Sequence, residues 1–140
     1  MNTRTFALVF GIVFLLVGAA GFLPGVTLLP PYSHPEVHVG KLFGYEFGLF
    51  PVNILHSLVH LAFGVWGLFV YRSLKGAKLY AKGVAIIYAV LTVMGLIPTL
   101  NTVFGLIPLF GNDVWLHALL AGIAAYFGFI QRESGAGEST

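Results

Sequence analysis

Residues Leu49–Tyr71 read LFPVNILHSLVHLAFGVWGLFVY, 23 positions without a charged side chain. A helix needs ~20 mostly apolar residues to cross a bilayer, and in lipid its backbone must hydrogen-bond within the segment. The stretch is therefore predicted to be a membrane-spanning helix. It also carries Asn53, His56 and His60. At 100° per residue these three fall within an arc of about 100° on one face. Gly64 and Gly67 continue that face.

Three further apolar stretches flank it: about Phe6 to Leu23, Leu79 to Pro98, and Val114 to Ile130. The predicted architecture is all-α, a four-transmembrane-helix bundle over residues 1–130. Its outer loops are 24–48 and 99–113, its cytoplasmic loop is 72–78, and a polar, disordered cytoplasmic tail covers 131–140. Composition agrees. The 140 residues are 58% hydrophobic and 9% charged, against roughly 25% charged in a soluble domain. Arg4, Arg72, Lys75, Lys78, Lys82 and Arg132 fall on one side of this layout and only Lys41 on the other, so both termini are expected in the cytoplasm. A cleaved signal peptide is the competing reading of the first stretch: Arg4, an apolar run, then Gly18, Ala19 and Ala20. With no cysteine, disulfides, thiolate nucleophiles and iron–sulfur ligation are excluded. A net charge of +2 without a basic face gives no reason to expect nucleic acid.

Two pentapeptides nearly coincide: Phe47-Gly-Leu-Phe-Pro51 and Phe104-Gly-Leu-Ile-Pro108. Asn53 and Leu55-His56 follow the first; Asn112 and Leu116-His117 follow the second. Upstream, Gly21-Phe-Leu-Pro24 matches Gly95-Leu-Ile-Pro98. The pattern predicts a two-helix unit used twice, the halves related by an axis along the membrane normal. His56 and His117 would then lie at matching depth in the outer leaflet. On the fourth helix Asp113 and His117 share a face that continues through Ala121, Ala124 and Gly128. Small residues let membrane helices approach closely. The expectation is that helices two and four face each other through Gly64, Gly67, Ala121, Ala124 and Gly128, with the polar groups gathered above.

Asn53, His56, His60, Asp113 and His117 are thus the candidate ligand residues, with His56, His60, Asp113 and His117 as metal ligands. Ionisable groups inside a membrane mark functional sites by default. Four roles are open: a divalent metal held by imidazoles and a carboxylate, a chlorophyll or haem ligated by one imidazole, a proton relay, or a structural hydrogen-bond cluster. No nucleophile–base pair or phosphate-binding loop is visible, so no catalytic residue is assigned. His34 and His38 read as loop residues, and Glu36, Lys41 and Glu46 as charges of the outer loop, which leaves Asp113 as the single carboxylate of interest.

The opening Thr3-Arg4-Thr5-Phe6-Ala7, the helix end Gly21-Phe22-Leu23-Pro24, the Phe47-Gly48-Leu49-Phe50 word leading to Asn53-x-x-His56-x-x-x-His60, and Asn112-Asp113-x-x-Leu116-His117 together carry a resemblance. The chain resembles a small four-helix bacterial membrane family, found in actinobacteria, cyanobacteria and other bacteria, that bears only a domain-of-unknown-function label. The resemblance covers nearly the whole chain and implies no activity. The expected role is a non-enzymatic accessory protein of the bacterial inner membrane or cyanobacterial thylakoid. It would pack with other membrane proteins, such as a bioenergetic or photosynthetic complex, or with its own copies. The alternatives are a membrane-embedded metalloenzyme and a small proton-coupled transporter or sensor.

Overall fold

The computed structural model describes residues 1–31 and 37–132. His34, Glu36 and the tail from 133 lie outside the described residues. Four helices dominate: α1 (Thr3–Ala20), α2 (Ile54–Val70), α3 (Leu74–Leu96) and α4 (Asn112–Ala125), the last running on as a π-helical turn over Tyr126–Ile130. Three of them, α1, α3 and α4 with its extension, are long and apolar enough to cross a membrane; α2 is as apolar but has 17 residues. Large apolar side chains such as Leu16, Phe69, Ile86, Val90 and Leu119 are exposed along the helices, a surface suited to lipid rather than water.

The fold is not purely helical. Between α1 and α2 lies a small antiparallel sheet of β1 (Thr27–Leu28), β2 (Gly44–Glu46) and β3 (Phe50–Val52), in that order. Thr27 pairs with Glu46, and Glu46 with Phe50. The second helix consequently starts at Ile54 and not near Leu49. Pro51 has no N–H to offer a helix and occupies the edge strand, where none is needed. Asn53 then caps α2, its Oδ1 accepting from the His56 backbone N–H at 2.9 Å. At the opposite end, the 72–78 loop contracts to a turn. Ser73 caps α3 and accepts from the Gly76 N–H at 3.2 Å, so Lys75 and Lys78 belong to the first turns of the helix. Their long stems let the charged heads reach water from there.

The small-residue stripes serve a different pairing from the one expected. Helices α1 and α2 pack as one close hairpin and α3 and α4 as another, while α2 and α4 do not pack closely. Gly64 and Gly67 face α1. A Cβ at Gly64 would lie 2.8 Å from the Leu15 backbone N, and one at Gly67 would lie 2.8 Å from the Ala7 carbonyl. Gly128 faces α3, where a Cβ would come 2.9 Å from Lys82 N. Ala121 and Ala124 are buried in the common core with Phe6, Phe14, Tyr80, Val84, Tyr88 and Phe127. Periodicity showed which face of each helix is small, but not which neighbour covers it.

The two Phe-Gly-Leu words fold alike. Phe47 and Gly48 have φ of 54° and 71°, Phe104 and Gly105 have 57° and 85°. Each pair of left-handed residues is closed by a backbone bond, from Leu49 N to the Glu46 carbonyl (3.0 Å) and from Leu106 N to the Val103 carbonyl (3.2 Å), the pattern of a type I′ turn. Each turn is then gripped by the other half of the chain. The Asn53 Nδ2 donates to the Leu106 carbonyl at 2.7 Å, and the Asn112 Nδ2 to the Leu49 carbonyl at 3.0 Å.

Candidate functional site

The head of α2 is fixed by Asn53. Besides capping the helix, its amide donates to the carbonyls of Val39 and Leu106, so loop 37–43 and the second Phe-Gly-Leu turn both hang on one side chain. Among the expected ligands Asn53 therefore has its donors committed and serves to position the others. One turn on, His56 is buried, and the Pro51 carbonyl interacts with its ring as a hydrogen-bond acceptor. His60 is buried one turn deeper. Its ring lies 4.6 Å from that of His56 and stacks on Phe14 at 5.7 Å.

Helix α4 supplies Asp113 and His117. Gly111, at φ 66°, precedes the helix without a side-chain cap, and Asp113 sits in the first turn, where the helix dipole favours an anion. His117 is 2% exposed and is held edge-on by the Tyr88 ring at 4.9 Å. The hydrophobic packing of Tyr88 in the core thus sets the orientation of one imidazole.

Across the two hairpins, one donor atom each from His56, Asp113 and His117 lies within 4.8 Å of the others, all three residues being buried. His56 Nδ1 and Asp113 Oδ2 are 3.7 Å apart, too far for a hydrogen bond. Neither atom has a protein partner, nor do His117 Nδ1, His60 Nδ1 or Glu46 Oε1. Five orphaned polar atoms at one place run against the rule that buried polar groups are hydrogen-bonded. Each costs roughly 1–3 kcal/mol if left unmet. A cavity of about 90 Å³ adjoins four of these five groups, lined by Glu46, His60, Asp113 and His117 together with Val17, Phe50, Val52 and Leu120. It has room for an ion with a few waters.

Glu46 is the residue that sequence reasoning passed over. It lies between α1 and α2 as expected, but it is 2% exposed. Its neighbour in the strand, Tyr45, is the more exposed of the two, as the alternation of a strand requires. Burial raises the Glu46 carboxyl from 4.5 to about 7. Burial, and then the charge of Asp113, push the Tyr45 phenol up as well. The one signal in the chain was the Phe47-Gly48 turn, which makes Gly44–Val52 a hairpin and so gives Glu46 an inside or an outside.

Two imidazoles and a carboxylate around one point, with further oxygen and nitrogen donors at the cavity wall, form a donor set suited to zinc or iron(II). Donors ~2 Å from a tetrahedral zinc lie about 3.4 Å apart, so the His56–Asp113 spacing needs only a small contraction. His38 and Lys41, between α1 and α2, are exposed and belong to no such group among the described residues.

No curated protein and no solved structure matches the chain. A family model matches residues 4–130, so the chain belongs to the family described as Domain of unknown function (DUF4383).

Proposed function

We propose that this is an integral membrane protein that binds a divalent metal ion in the outer half of the bilayer through His56, Asp113 and His117, with Glu46 and His60 lining a cavity beside Asp113 and His117. The observation that carries the reading is the buried triad in which His56 Nδ1, Asp113 Oδ2 and His117 Nδ1 have no protein partner. In this reading all four helices span. The 17 residues of α2 sit at the short end of the usual ~17–25, and the sheet covers its outer end. Both termini are cytoplasmic, since the basic residues cluster at the α2–α3 turn and the two chain ends. The two hairpins run in parallel, as their like turns and crossed Asn bonds suggest.

The cavity favours an ion over a macrocycle, because 90 Å³ beside His117 does not hold a chlorophyll or haem. The protein is then a binding or accessory component of a bacterial membrane, acting with the bilayer and with other membrane proteins or its own copies. An open position on the ion would be the starting point for an enzymatic alternative. Protein purified in mild detergent should carry about one zinc or iron per chain by elemental analysis, lost in His117→Ala and Asp113→Asn. A folded parent protein that takes up no metal from an equimolar supply refutes the reading. An absorption band of a bound tetrapyrrole in the same sample would replace it.

A further inference from the structure

A second cavity adjoins the first. It is an apolar groove of about 190 Å³ between α1 and α4, lined by Phe10, Val13, Phe14, Val17, Leu116 and Leu120, with His60 as its one polar wall. Val17, His60, Leu116 and Leu120 line both spaces. Along this seam α1 and α4 are not closely packed. Val13 stands at the rim, 47% exposed on the face that meets lipid. The groove exceeds the ~150 Å³ that suffices to admit benzene into an apolar protein cavity.

We infer that this groove binds a neutral single-chain lipid with one hydroxyl or carbonyl oxygen at its head, the chain lying between α1 and α4 and the oxygen meeting His60. The inference takes the proposed metal centre as the inner end of the groove and names the class of molecule that reaches it. The apolar walls select a chain. A buried imidazole with an unpartnered Nδ1 calls for one hydrogen-bonding head rather than none. The groove itself is lined by no Asp, Glu, Lys or Arg, so an ionised carboxylate head would lose its water there without a charged partner. No Lys or Arg lines either space, so a phosphate head has no counter-charge. What remains is a neutral oxygen.

The test is photolabelling in phosphatidylcholine nanodiscs with a long-chain alcohol bearing a diazirine near its hydroxyl. The same chain as a carboxylic acid and as a phosphatidylcholine acyl chain are the comparators, and metal content is measured on every sample. The alcohol should label peptides of α1 around Val13–Val17 and of α4 around Leu116–Leu120 in preference to both comparators. His60→Phe should lower that labelling about five- to tenfold, the worth of one buried hydrogen bond. Val13→Trp, at an exposed rim position that folding tolerates, should block it while metal content stays unchanged. Equal labelling by all three probes, or labelling spread over the lipid face of α3 at Ile86, Val90 and Val93, overturns the inference. Seam labelling in a protein that binds no metal sustains the groove and removes the metal centre; metal without seam labelling does the reverse.

Discussion

Replacing Asn53 by alanine removes three interactions at once: the cap bond to the His56 N–H at 2.9 Å, and the donations to the carbonyls of Leu106, at 2.7 Å, and Val39. A lost N-cap costs about 1 kcal/mol. The Val39 carbonyl, buried, and the Leu106 carbonyl, part-buried, each add about 1 kcal/mol when left without a donor. The expected loss is about 3 kcal/mol, and for a chain of this length that is about 10 °C in Tm. The assay is thermal unfolding in detergent, followed by the fluorescence of Trp66 and Trp115. Asn53→Asp separates the roles. Aspartate caps helices as well as asparagine does, but it turns a carboxylate oxygen toward two carbonyls that need a donor. It should therefore be at least as damaging as alanine. Asn112→Ala breaks the counterpart bond to Leu49 at an exposed site and should cost under ~1 kcal/mol. An Asn53→Asp protein as stable as the parent would show that only the cap matters. Equal losses for Asn53→Ala and Asn112→Ala would show that burial of the latch contributes nothing.

Other outcomes follow from packing and charge. Gly18→Ala places a methyl 2.8 Å from the Ser57 carbonyl and the Leu61 N, prising α1 from α2. It should destabilise the protein by about 1–3 kcal/mol, whereas alanine at Gly122, where a Cβ meets nothing within 4 Å, should be neutral or slightly stabilising in the same melts. Glu46 has its folded-state carboxyl raised to about 7 from 4.5. The stability this group contributes is complete below pH 4.5 and lost as pH rises through 7. In metal-free protein, Glu46→Gln should raise stability at pH 8 by at most about 3 kcal/mol, with the gain vanishing near pH 4. A gain that is the same at both pH values would refute the burial of an unpaired carboxylate.

The helices were legible as long uncharged runs: three are long and apolar enough to cross a membrane, while α2 takes up only 17 residues of the run from Leu49 to Tyr71. Where α2 begins was not, because Pro51 and Asn53 end a strand and cap a helix by local geometry that hydropathy does not register. The cluster of His56, Asp113 and His117 was legible from helical spacing and from the repeated words that put the two histidines at one level. Its geometry across hairpins was inferred through the wrong contact. Gly64 and Gly67 serve α1, and the head of α2 meets α4 through the side chains of His56, Asp113 and His117. Glu46 stayed hidden because three-residue strands leave no periodicity, so its inward direction depends on a turn and on pairing with Phe50.

The crossed asparagines have a consequence for how such a chain arises. Asn53 grips the Phe104-Gly105-Leu106 turn while Asn112 grips the Phe47-Gly48-Leu49 turn: residue i touches j′ and residue j touches i′. That reciprocity defines an isologous contact between identical subunits. A two-helix ancestor pairing with its own copy would make both bonds from a single sequence. Fusion of two such copies through a turn like Tyr71–Ser73 would free the halves to diverge. Only then can one half carry His60 and Glu46 while the other carries Asp113, concentrating in a single pocket a set of groups that a symmetric pair would have to build twice. Co-expressed halves severed at that turn should reassemble.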